Sequence, residues 1–220
     1  MEARRRFLDA GYGEPLLQAL LEEIDALALP PGAAVLDVGC GEGTYLGRIA
    51  GERGVEAHGT DLSTAAVDLA ARRYPGPTWI VANADRFLPY AAGSFDLVLC
   101  IDARLPAAEL QRVLKTEGRL LVAVPGPDDL VELRAAVLGE GRIRDRMERV
   151  TALLAERFEV ESRRRISHTV RLAAEAARDA LAATYRGARR SQRERGGALS
   201  TLDVTLSHDL ACFTSLKTRN

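Results

Sequence analysis

The residues most suited to chemistry form a glycine-rich segment, Val35-Leu36-Asp37-Val38-Gly39-Cys40-Gly41-Glu42-Gly43. Glycine at alternate positions lets a backbone turn approach a ligand without a clash from a Cβ atom. Asp61 comes eighteen residues after Gly43, at the end of a second apolar run. An acidic residue in that place can accept hydrogen bonds from both hydroxyls of a ribose. The spacing therefore predicts a nucleoside-binding turn.

The charges in this segment indicate which nucleoside cofactor it suits. A dinucleotide-binding turn usually has the spacing Gly-x-Gly-x-x-Gly, which places a pyrophosphate at a helix N-terminus. Here the glycines stand at 39, 41 and 43, no basic residue lies among them, and Asp37, Glu42 and Asp61 supply carboxylates. The segment therefore favours S-adenosylmethionine (SAM), which carries a sulfonium cation and no phosphate, over NAD.

The elements that must hold this turn alternate between strand and helix from residue 34 to residue 124. Apolar runs predict strands at 34–38, 55–60, 78–82, 94–100 and 119–124. Helices are predicted from Thr44, from the N-cap Ser63 to Arg73, and from Pro106 to Leu114. This alternation is typical of βαβ units with a parallel sheet, in which ligands bind beyond the carboxyl ends of the strands.

The two ends of the chain are predicted to add helices and further strands to one domain that spans residues 1–220. A helical stripe of leucines predicts a helical cap over 1–29, which Pro30-Pro31-Gly32 ends. Further helices are predicted at 128–138, 149–157 and 172–185, strands at 158–170 and 201–213, and a polar loop at 187–197. No internal repeat interrupts this order.

Basic residues are concentrated late in the chain. Residues 1–141 hold 13 Lys and Arg against 21 Asp and Glu, whereas residues 142–195 hold 15 Arg against 8 acidic residues. Arginine suits bidentate phosphate contacts. The Arg-rich variable region 142–200 therefore marks either a nucleic-acid face or charged, solvated helix and strand faces. The candidate nucleic-acid residues are Arg163, Arg164, Arg165, Arg189 and Arg190.

Several other classes of protein are not expected. No apolar run approaches the roughly 20 residues of a membrane span, and the N-terminus lacks the apolar region of a signal peptide. We therefore expect a soluble, cytoplasmic chain. The cysteines at 40, 100 and 212 contain no Cys-x-x-Cys pair, and the three histidines have no neighbouring ligand set, so no metal site is expected.

The order of motifs resembles that of class I SAM-dependent methyltransferases. After the glycine segment come Thr-Asp-Leu-Ser at 60–63, Ala-Asp-Arg-Phe-Leu-Pro-Tyr at 84–90, Ser-Phe-Asp-Leu-Val-Leu-Cys at 94–100 and Leu-Lys-Thr-Glu-Gly-Arg at 114–119. The resemblance implies a Rossmann-like α/β fold, with a mostly parallel sheet of seven strands and helices on both faces. It also implies SAM as the cofactor.

The same resemblance assigns roles to individual residues. Asp61 would hold the ribose, Asp85 would lie by the adenine amino group, and Gly39, Gly41 and Glu42 would line the methionine moiety. The remaining implied cofactor neighbours are Asp37, Cys40, Gly43, Leu62, Arg86 and Cys100.

Four further segments resemble one family in particular, the RlmA-type large-subunit ribosomal RNA guanine-N1 methyltransferases. They are Ala-Arg-Arg-Arg-Phe-Leu-Asp-Ala-Gly-Tyr at 3–12, Ala-Ala-Arg-Arg-Tyr-Pro at 70–75, Ala-Glu-Leu-Gln-Arg-Val-Leu-Lys at 108–115 and Pro-Gly-Pro-Asp-Asp-Leu-Val-Glu-Leu at 125–133. The resemblance implies ribosomal RNA as the partner, a homodimer, and Tyr12, Gly13 and Asp129 as cofactor neighbours. Ordinary loop chemistry is the alternative interpretation of those three residues. The family usually begins with a cysteine-rich zinc module, and this chain starts where that module would end.

The candidate catalytic residues follow the fourth predicted strand. Methyl transfer to guanine N1 needs a base and benefits from a group that stabilises charge on O6. Asp102 is the candidate base and Arg104 the candidate stabilising group, although the two could instead pair with each other at the surface. Three functions remain open at this point: an RNA methyltransferase, a small-molecule methyltransferase, and a SAM-binding protein without catalysis.

Overall fold

The computed structural model describes residues 2–139, 145–183 and 200–216. The chain begins with two helices, α1 (Glu2–Asp9) and α2 (Glu14–Ala26), so the prediction of one unbroken helix over 1–29 is wrong. Gly11 separates the two helices in a left-handed conformation with φ 87°, which glycine adopts without the strain that a side chain would cause. The leucine stripe that indicated a helix begins at Leu16, after this turn, so it describes α2 and carries no information on residues 1–13.

The strands predicted from the apolar runs are confirmed in place, except that β5 begins at Leu114, five residues before the predicted start at Arg119. They are β1 (Ala34–Val38), β2 (Glu56–Asp61), β3 (Thr78–Val81), β4 (Phe95–Ile101), β5 (Leu114–Pro125), β6 (Phe158–Leu172) and β7 (Leu202–Ser215). The helices between and after them are α3 (Thr44–Arg53), α4 (Thr64–Arg73), α5 (Ala107–Val113), α6 (Val131–Leu138), α7 (Arg146–Leu154) and α8 (Ala174–Ala183). Ser63 caps α4 as predicted, since its side chain accepts a hydrogen bond from the Ala66 N–H. The predicted loop 187–197 lies outside the described residues.

The seven strands form one sheet in the order β3-β2-β1-β4-β5-β7-β6. The pairs β1–β2, β1–β4, β2–β3 and β4–β5 are parallel. The predicted Rossmann-like, mostly parallel sheet of seven strands is therefore confirmed. The strand order reverses between β1 and β4, and the carboxyl ends of strands beside such a switch point are where ligands bind in this class of sheet.

The chain divides into two compact units. The first, which we call the glycine-turn unit, comprises residues 19–124, 147–164 and 209–220. Its apolar core joins the inner strands to α5 and α7, and includes Leu36, Val98, Leu120, Met147 and Phe213, each with at most 1% of its surface exposed. This packing holds the ends of β1 and β4 in fixed positions.

The second unit, which we call the terminal unit, comprises residues 1–18, 125–146 and 165–208. Arg6 on α1 donates two hydrogen bonds to the buried Asp179 on α8, one of them 2.8 Å long. A separate apolar cluster includes Leu133, Leu172 and Val204. A single domain over 1–220 remains a prediction.

The residues that the structure describes include no helix that is both long enough and apolar enough to span a membrane. Within the same residues, no group of three His, Cys, Asp or Glu side chains is arranged to hold a metal ion.

Candidate cofactor and acceptor site

The glycine turn follows β1 and adopts backbone conformations that only glycine reaches readily. Gly39, Gly41 and Gly43 have φ values of 81°, 56° and 77°. The N–H groups of Gly39 and Cys40 both donate to the Thr60 carbonyl, at 2.7 and 3.0 Å. These bonds tie the turn to the end of β2.

Asp61 closes the turn through both oxygens of its carboxylate. Its Oδ2 accepts a hydrogen bond from the Gly41 N–H at 3.0 Å, and its Oδ1 accepts one from the Ser63 N–H at 2.8 Å. Each carboxylate oxygen has a second lone pair, so the group can also accept from the hydroxyls of a ribose. Asp61 therefore shapes the turn and keeps the capacity to accept further hydrogen bonds.

The floor of the turn is an indole ring. A Cβ atom added to Gly43 would lie 2.5 Å from Trp79 Cη2 and 2.9 Å from Ala70 Cβ, and one added to Gly59 would lie 2.3 Å from the same ring. Trp79 is fixed by its own Nε1–H, which donates to the Tyr74 carbonyl at 2.8 Å. By contrast, a Cβ atom on Gly41 would meet nothing within 4 Å. The turn is thus packed below and open beside Gly41.

Negative charge dominates the surroundings of the turn. Asp37 and Glu42 are buried, with 2% and 4% of their surfaces exposed. Burial first, and then the charges of Asp37 and Asp61, raise the pKa of Cys40 well above its ordinary value. Burial and Asp37 do the same for Cys100. Both thiols therefore stay protonated. The glycine turn is open beside Gly41 and has carboxylates nearby, an arrangement that fits a cationic nucleoside such as SAM.

Asp85, the residue implied for the adenine, lies in a turn after β3. Asn83 Oδ1 accepts a hydrogen bond from the Asp85 N–H at 3.1 Å, and the Asn83 carbonyl accepts one from the Arg86 N–H at 2.9 Å. Arg104 Nη1 donates to Asp85 Oδ2 at 2.6 Å. The structure thus pairs Arg104 with Asp85. Leu62 is 69% exposed, directly beyond Asp61.

The loop after β4 connects the glycine turn to the Asp85 turn. Asp102 has a left-handed backbone, φ 55°, and its N–H donates to the Ala123 carbonyl at 2.9 Å. A Cβ atom on Gly39 would lie 2.5 Å from Ala103 Cβ, so the Ala103 methyl group packs against the glycine turn. Arg104 then reaches Asp85. The loop that carries both candidate catalytic residues therefore rests on the two candidate cofactor-binding turns.

A half-buried ion pair between Glu109 and Arg112 fixes the chain that follows Asp85. Glu109 on α5 accepts hydrogen bonds from the Leu88 N–H and from Arg112, all at 2.7 Å. Arg112 also donates to the carbonyls of Leu88 and Tyr90 at 2.8 and 2.7 Å. The bonds from Arg112 and then from Leu88 lower the pKa of Glu109 against the opposing effect of burial.

This ion pair predicts a pH dependence of stability. A carboxylate whose pKa is lowered on folding stabilises the protein above its ordinary pKa of about 4.3 and loses that effect as the pH falls. We expect Glu109→Gln to lower the melting temperature most at pH 7, with a difference from the unmutated chain that shrinks towards pH 3. Thermal unfolding across this range measures it. Glu52→Gln, which removes the exposed partner of Arg48, is the matched control and should change little at any pH. If Glu109→Gln lowered the melting temperature by the same amount at pH 7 and at pH 3, the assigned role of the Glu109 carboxylate would be wrong.

Three predicted cofactor neighbours belong to the terminal unit. Tyr12 stacks on Phe7 with ring centroids 4.6 Å apart, and the Gly13 carbonyl accepts from the Leu17 N–H at 3.1 Å. Asp129 is buried, and its Oδ1 accepts from the Ser207 N–H at 3.1 Å. These contacts account for their local conformations. A role for Tyr12, Gly13 and Asp129 beside the cofactor remains a prediction.

Two of the predicted nucleic-acid arginines have partners within the glycine-turn unit. Arg163 is 3.3 Å from the buried Asp209. Arg164 contacts Glu22 at 2.8 Å and Glu23 at 3.0 Å and also donates to the Ala19 carbonyl. These ion pairs hold β6 against β7 and α2. Arg165 is exposed, whereas Arg189 and Arg190 lie outside the described residues.

Sequence reasoning missed several residues that build the site. Asn83 forms an Asx turn with Asp85, a signal that the Asn-Ala-Asp order could have given. Ala103 touches Gly39, and Glu109 with Arg112 fixes residues 88–90. The contacts of Ala103, Glu109 and Arg112 join segments that are far apart in sequence, so no local sequence pattern could predict them.

Comparison with known proteins shows which proteins these elements resemble. Residues 35–122 match the model of the methyltransferase domain family. A 23S rRNA (guanine(748)-N(1))-methyltransferase of Streptomyces fradiae is 37% identical over 175 residues, which cover 77% of this chain and 61% of that protein. A malonyl-[acyl-carrier protein] O-methyltransferase of Methylovorus sp. is 35% identical over 136 residues, which cover 54% of this chain and 45% of that protein. The chain thus spans about half of these relatives.

The fold has close counterparts among solved structures. A TehB-like SAM-dependent methyltransferase from Corynebacterium glutamicum superposes with a TM-score of 0.56 and 22% identity, over 97% of this chain and 95% of that one. The match supports the class I methyltransferase fold. The stretch 35–122 that matches the domain family contains the glycine turn, Asp61, Asp85 and Asp102.

Proposed function

We propose that this chain, as a member of the class I SAM-dependent methyltransferases, transfers a methyl group from SAM to N1 of a guanine in large-subunit ribosomal RNA. The observation that carries the proposal is its 37% identity, across 77% of the chain, to a 23S rRNA guanine-N1 methyltransferase. The geometry of the glycine turn, with Asp61 closing it and buried carboxylates beside it, supports the cofactor.

The proposed cofactor contacts follow from the turns at the ends of β1, β2 and β3. Asp61 accepts from the ribose hydroxyls, Asp85 accepts from the adenine amino group, and the open backbone at Gly41 admits the methionine moiety. The remaining members of the set, Asp37, Gly39, Cys40, Glu42, Gly43, Leu62, Arg86 and Cys100, line or support these contacts. SAM supplies the methyl group as an electrophile on its sulfonium.

The proposed acceptor chemistry belongs to the loop after β4. Guanine N1 keeps its proton near neutral pH, so transfer needs a base. Asp102 is exposed beside the glycine turn and takes that proton in our proposal. Arg104 keeps further N–H donors beyond the one that it gives to Asp85, and these stabilise the charge that develops on O6.

The role of Asp102 gives a kinetic prediction. We expect Asp102→Asn to lower kcat by about 100-fold, because general bases contribute on the order of 10²–10⁴ to rates. The affinity for SAM should change less than about threefold, since Asp102 contacts the acceptor in this account. Single-turnover methyl transfer and calorimetry measure the two quantities. Asp68→Asn, on the exposed ion pair with Arg72, is the matched control. Equal losses in both quantities would contradict the assignment.

The proposed function is tested by methyl transfer from radiolabelled SAM to large-subunit ribosomal RNA that lacks its natural modifications. Methylation at N1 blocks base pairing, so reverse transcription should stop beside the modified guanine. We expect label in the RNA and one such stop, and we expect Asp102→Asn to slow the appearance of both by about 100-fold. Binding of SAM without labelled RNA would contradict the RNA acceptor.

A small-molecule acceptor is the second candidate, and one observation favours it. The malonyl-[acyl-carrier protein] O-methyltransferase relative shares 35% identity over a similar stretch of the chain. In addition, Arg163 and Arg164 are engaged by Asp209, Glu22 and Glu23, which weakens their candidacy as phosphate ligands. Label that enters a carboxylate of a carrier-bound acid and not RNA would support this candidate. A SAM-binding protein without catalysis is the outcome if neither acceptor is labelled.

A further inference from the structure

Strand β6 forms one edge of the sheet and is unusually long. It covers Phe158–Leu172, fifteen residues, where strands usually have about 5–6. β7 pairs with one side of it, and in the described part of the chain no strand pairs with the other side. Residues 159–163 are all exposed. An edge of this length presents a row of backbone hydrogen-bonding groups that another strand can use.

The charges along this edge follow a pattern. Glu159, Glu161, Arg163 and Arg165 alternate along β6, so they share one face of the strand, with two negative charges followed by two positive ones. A two-fold axis reverses the order of such a sequence in the second copy. Each negative position of one strand then faces a positive position of the other. The pattern is therefore complementary to itself.

We propose that β6 pairs, antiparallel and edge to edge, with β6 of a second copy of this chain. The two-fold axis passes beside Ser162. Glu161 then lies opposite Arg163 of the second copy, Glu159 lies opposite Arg165, and Phe158 lies opposite Ile166. Residues 158–166 of each copy take part. Opposite charges at directly opposed positions stabilise antiparallel pairs, and a two-fold interface repeats each pair twice.

The ion pairs within the chain are compatible with this arrangement. Glu161 contacts Arg119 at 2.5 Å and Arg163 contacts Asp209 at 3.3 Å, which holds both side chains on one face of the sheet. After these contacts Glu161 is still 46% exposed and Arg163 39% exposed. A carboxylate accepts several hydrogen bonds and a guanidinium carries five N–H donors. Both groups can therefore bind a second partner.

A second copy fits this edge better than an unrelated strand. Natural edge strands avoid unwanted pairing through charged side chains, proline or bulges. β6 contains no proline, and its charges change sign in its middle, which opposes parallel pairing in register and favours antiparallel self-pairing. Shifting the register by two residues, with the axis at Glu161 or Arg163, would place like charges opposite each other at the axis.

Disulfide capture tests the register. In the proposed dimer the two Ser162 residues are directly opposite, at the Cα separation of about 4.5–5.5 Å that an antiparallel pair has and a disulfide accepts. We expect Ser162→Cys to form a covalent dimer under mild oxidation, with most of the chain captured. Thr169→Cys is the control. Thr169 is exposed on the same strand, but it does not face Thr169 of the second copy in the proposed register, so this variant should form no covalent dimer. Failure of Ser162→Cys to exceed Thr169→Cys would overturn the proposal.

Charge reversal tests the pairing independently. Sedimentation equilibrium should show a dimer for the unmutated chain. Glu159→Arg and Arg165→Glu should each raise the dissociation constant by about tenfold or more, because each places two like-charged pairs in the interface. The double variant should return to within about threefold of the unmutated value. Arg171→Glu makes the same charge change outside the paired stretch and should leave the dimer intact.

The outcomes of the charge reversal are decisive. A monomeric unmutated chain at high micromolar concentration would overturn the proposal, as would a dimer that Arg171→Glu weakens as much as Arg165→Glu. A dimer that both single variants weaken without recovery in the double variant would also overturn it. Circular dichroism of each variant separates these effects from loss of folding.

Discussion

Replacement of Asp61 by asparagine is expected to weaken SAM binding by about 100-fold or more. The Asp61 carboxylate accepts hydrogen bonds from the N–H groups of Gly41 and Ser63, and in our proposal it also accepts from the ribose. Hydrogen bonds to a charged group contribute about 1.5–3 kcal/mol each, so the loss of charge and of one acceptor oxygen has a large effect. Isothermal titration calorimetry measures the change.

The control for this prediction is another aspartate in an ion pair. Asp25→Asn removes a carboxylate that contacts Arg53 at 2.7 Å on the surface and is not near the turn in sequence. Asp25→Asn should leave the dissociation constant for SAM within about twofold of the unmutated value, because exposed ion pairs contribute little to stability. Equal weakening by Asp61→Asn and Asp25→Asn would mean that general destabilisation, not the turn, explains the loss.

Gly43→Ala is expected to lower the free energy of unfolding by about 2–4 kcal/mol. Part of this arises because an L-residue in the left-handed region costs about 1–2 kcal/mol, and Gly43 has φ 77°. The rest arises from overpacking, since the new methyl group would lie 2.5 Å from Trp79 Cη2. Movement of Trp79 would also displace the turn, so SAM affinity should fall as well.

Gly54→Ala separates the two contributions to this effect. Gly54 ends α3 with φ 62°, and a methyl group there would meet nothing within 4 Å. Its cost should therefore be the backbone strain alone, about 1–2 kcal/mol, with SAM affinity unchanged. Urea denaturation of both variants measures the difference. If Gly54→Ala destabilised the chain as much as Gly43→Ala, contact with Trp79 would not be the reason that Gly43 is glycine.

The sequence was most informative where one physical factor acts locally. Buried strands such as β1 and β4 are short apolar runs, and Ser63 caps its helix with its own hydroxyl, so both could be predicted. The same holds for the glycine turn, whose three glycines all have positive φ. In these places the local sequence alone requires the observed conformation.

The failures of sequence reasoning have a different origin. Gly11 separates α1 from α2 although both neighbouring segments are helical, because the apolar periodicity of α2 does not reveal a left-handed residue before it. Arg104 pairs with Asp85, nineteen residues away, and Arg164 pairs with Glu22, 142 residues away. Such partners depend on the tertiary fold. The sequence could therefore indicate which residues carry charge but not which charges neutralise each other.

The most direct test of the central claim is a calorimetric titration of the unmutated chain with SAM and, separately, with NAD. The open backbone at Gly41, the Asp61 carboxylate and the buried Asp37 and Glu42 predict a single SAM site with a dissociation constant in the micromolar range or below, about 8 kcal/mol of binding free energy or more. They predict no measurable binding of NAD, whose pyrophosphate would meet these carboxylates. Binding of NAD without binding of SAM would contradict the account.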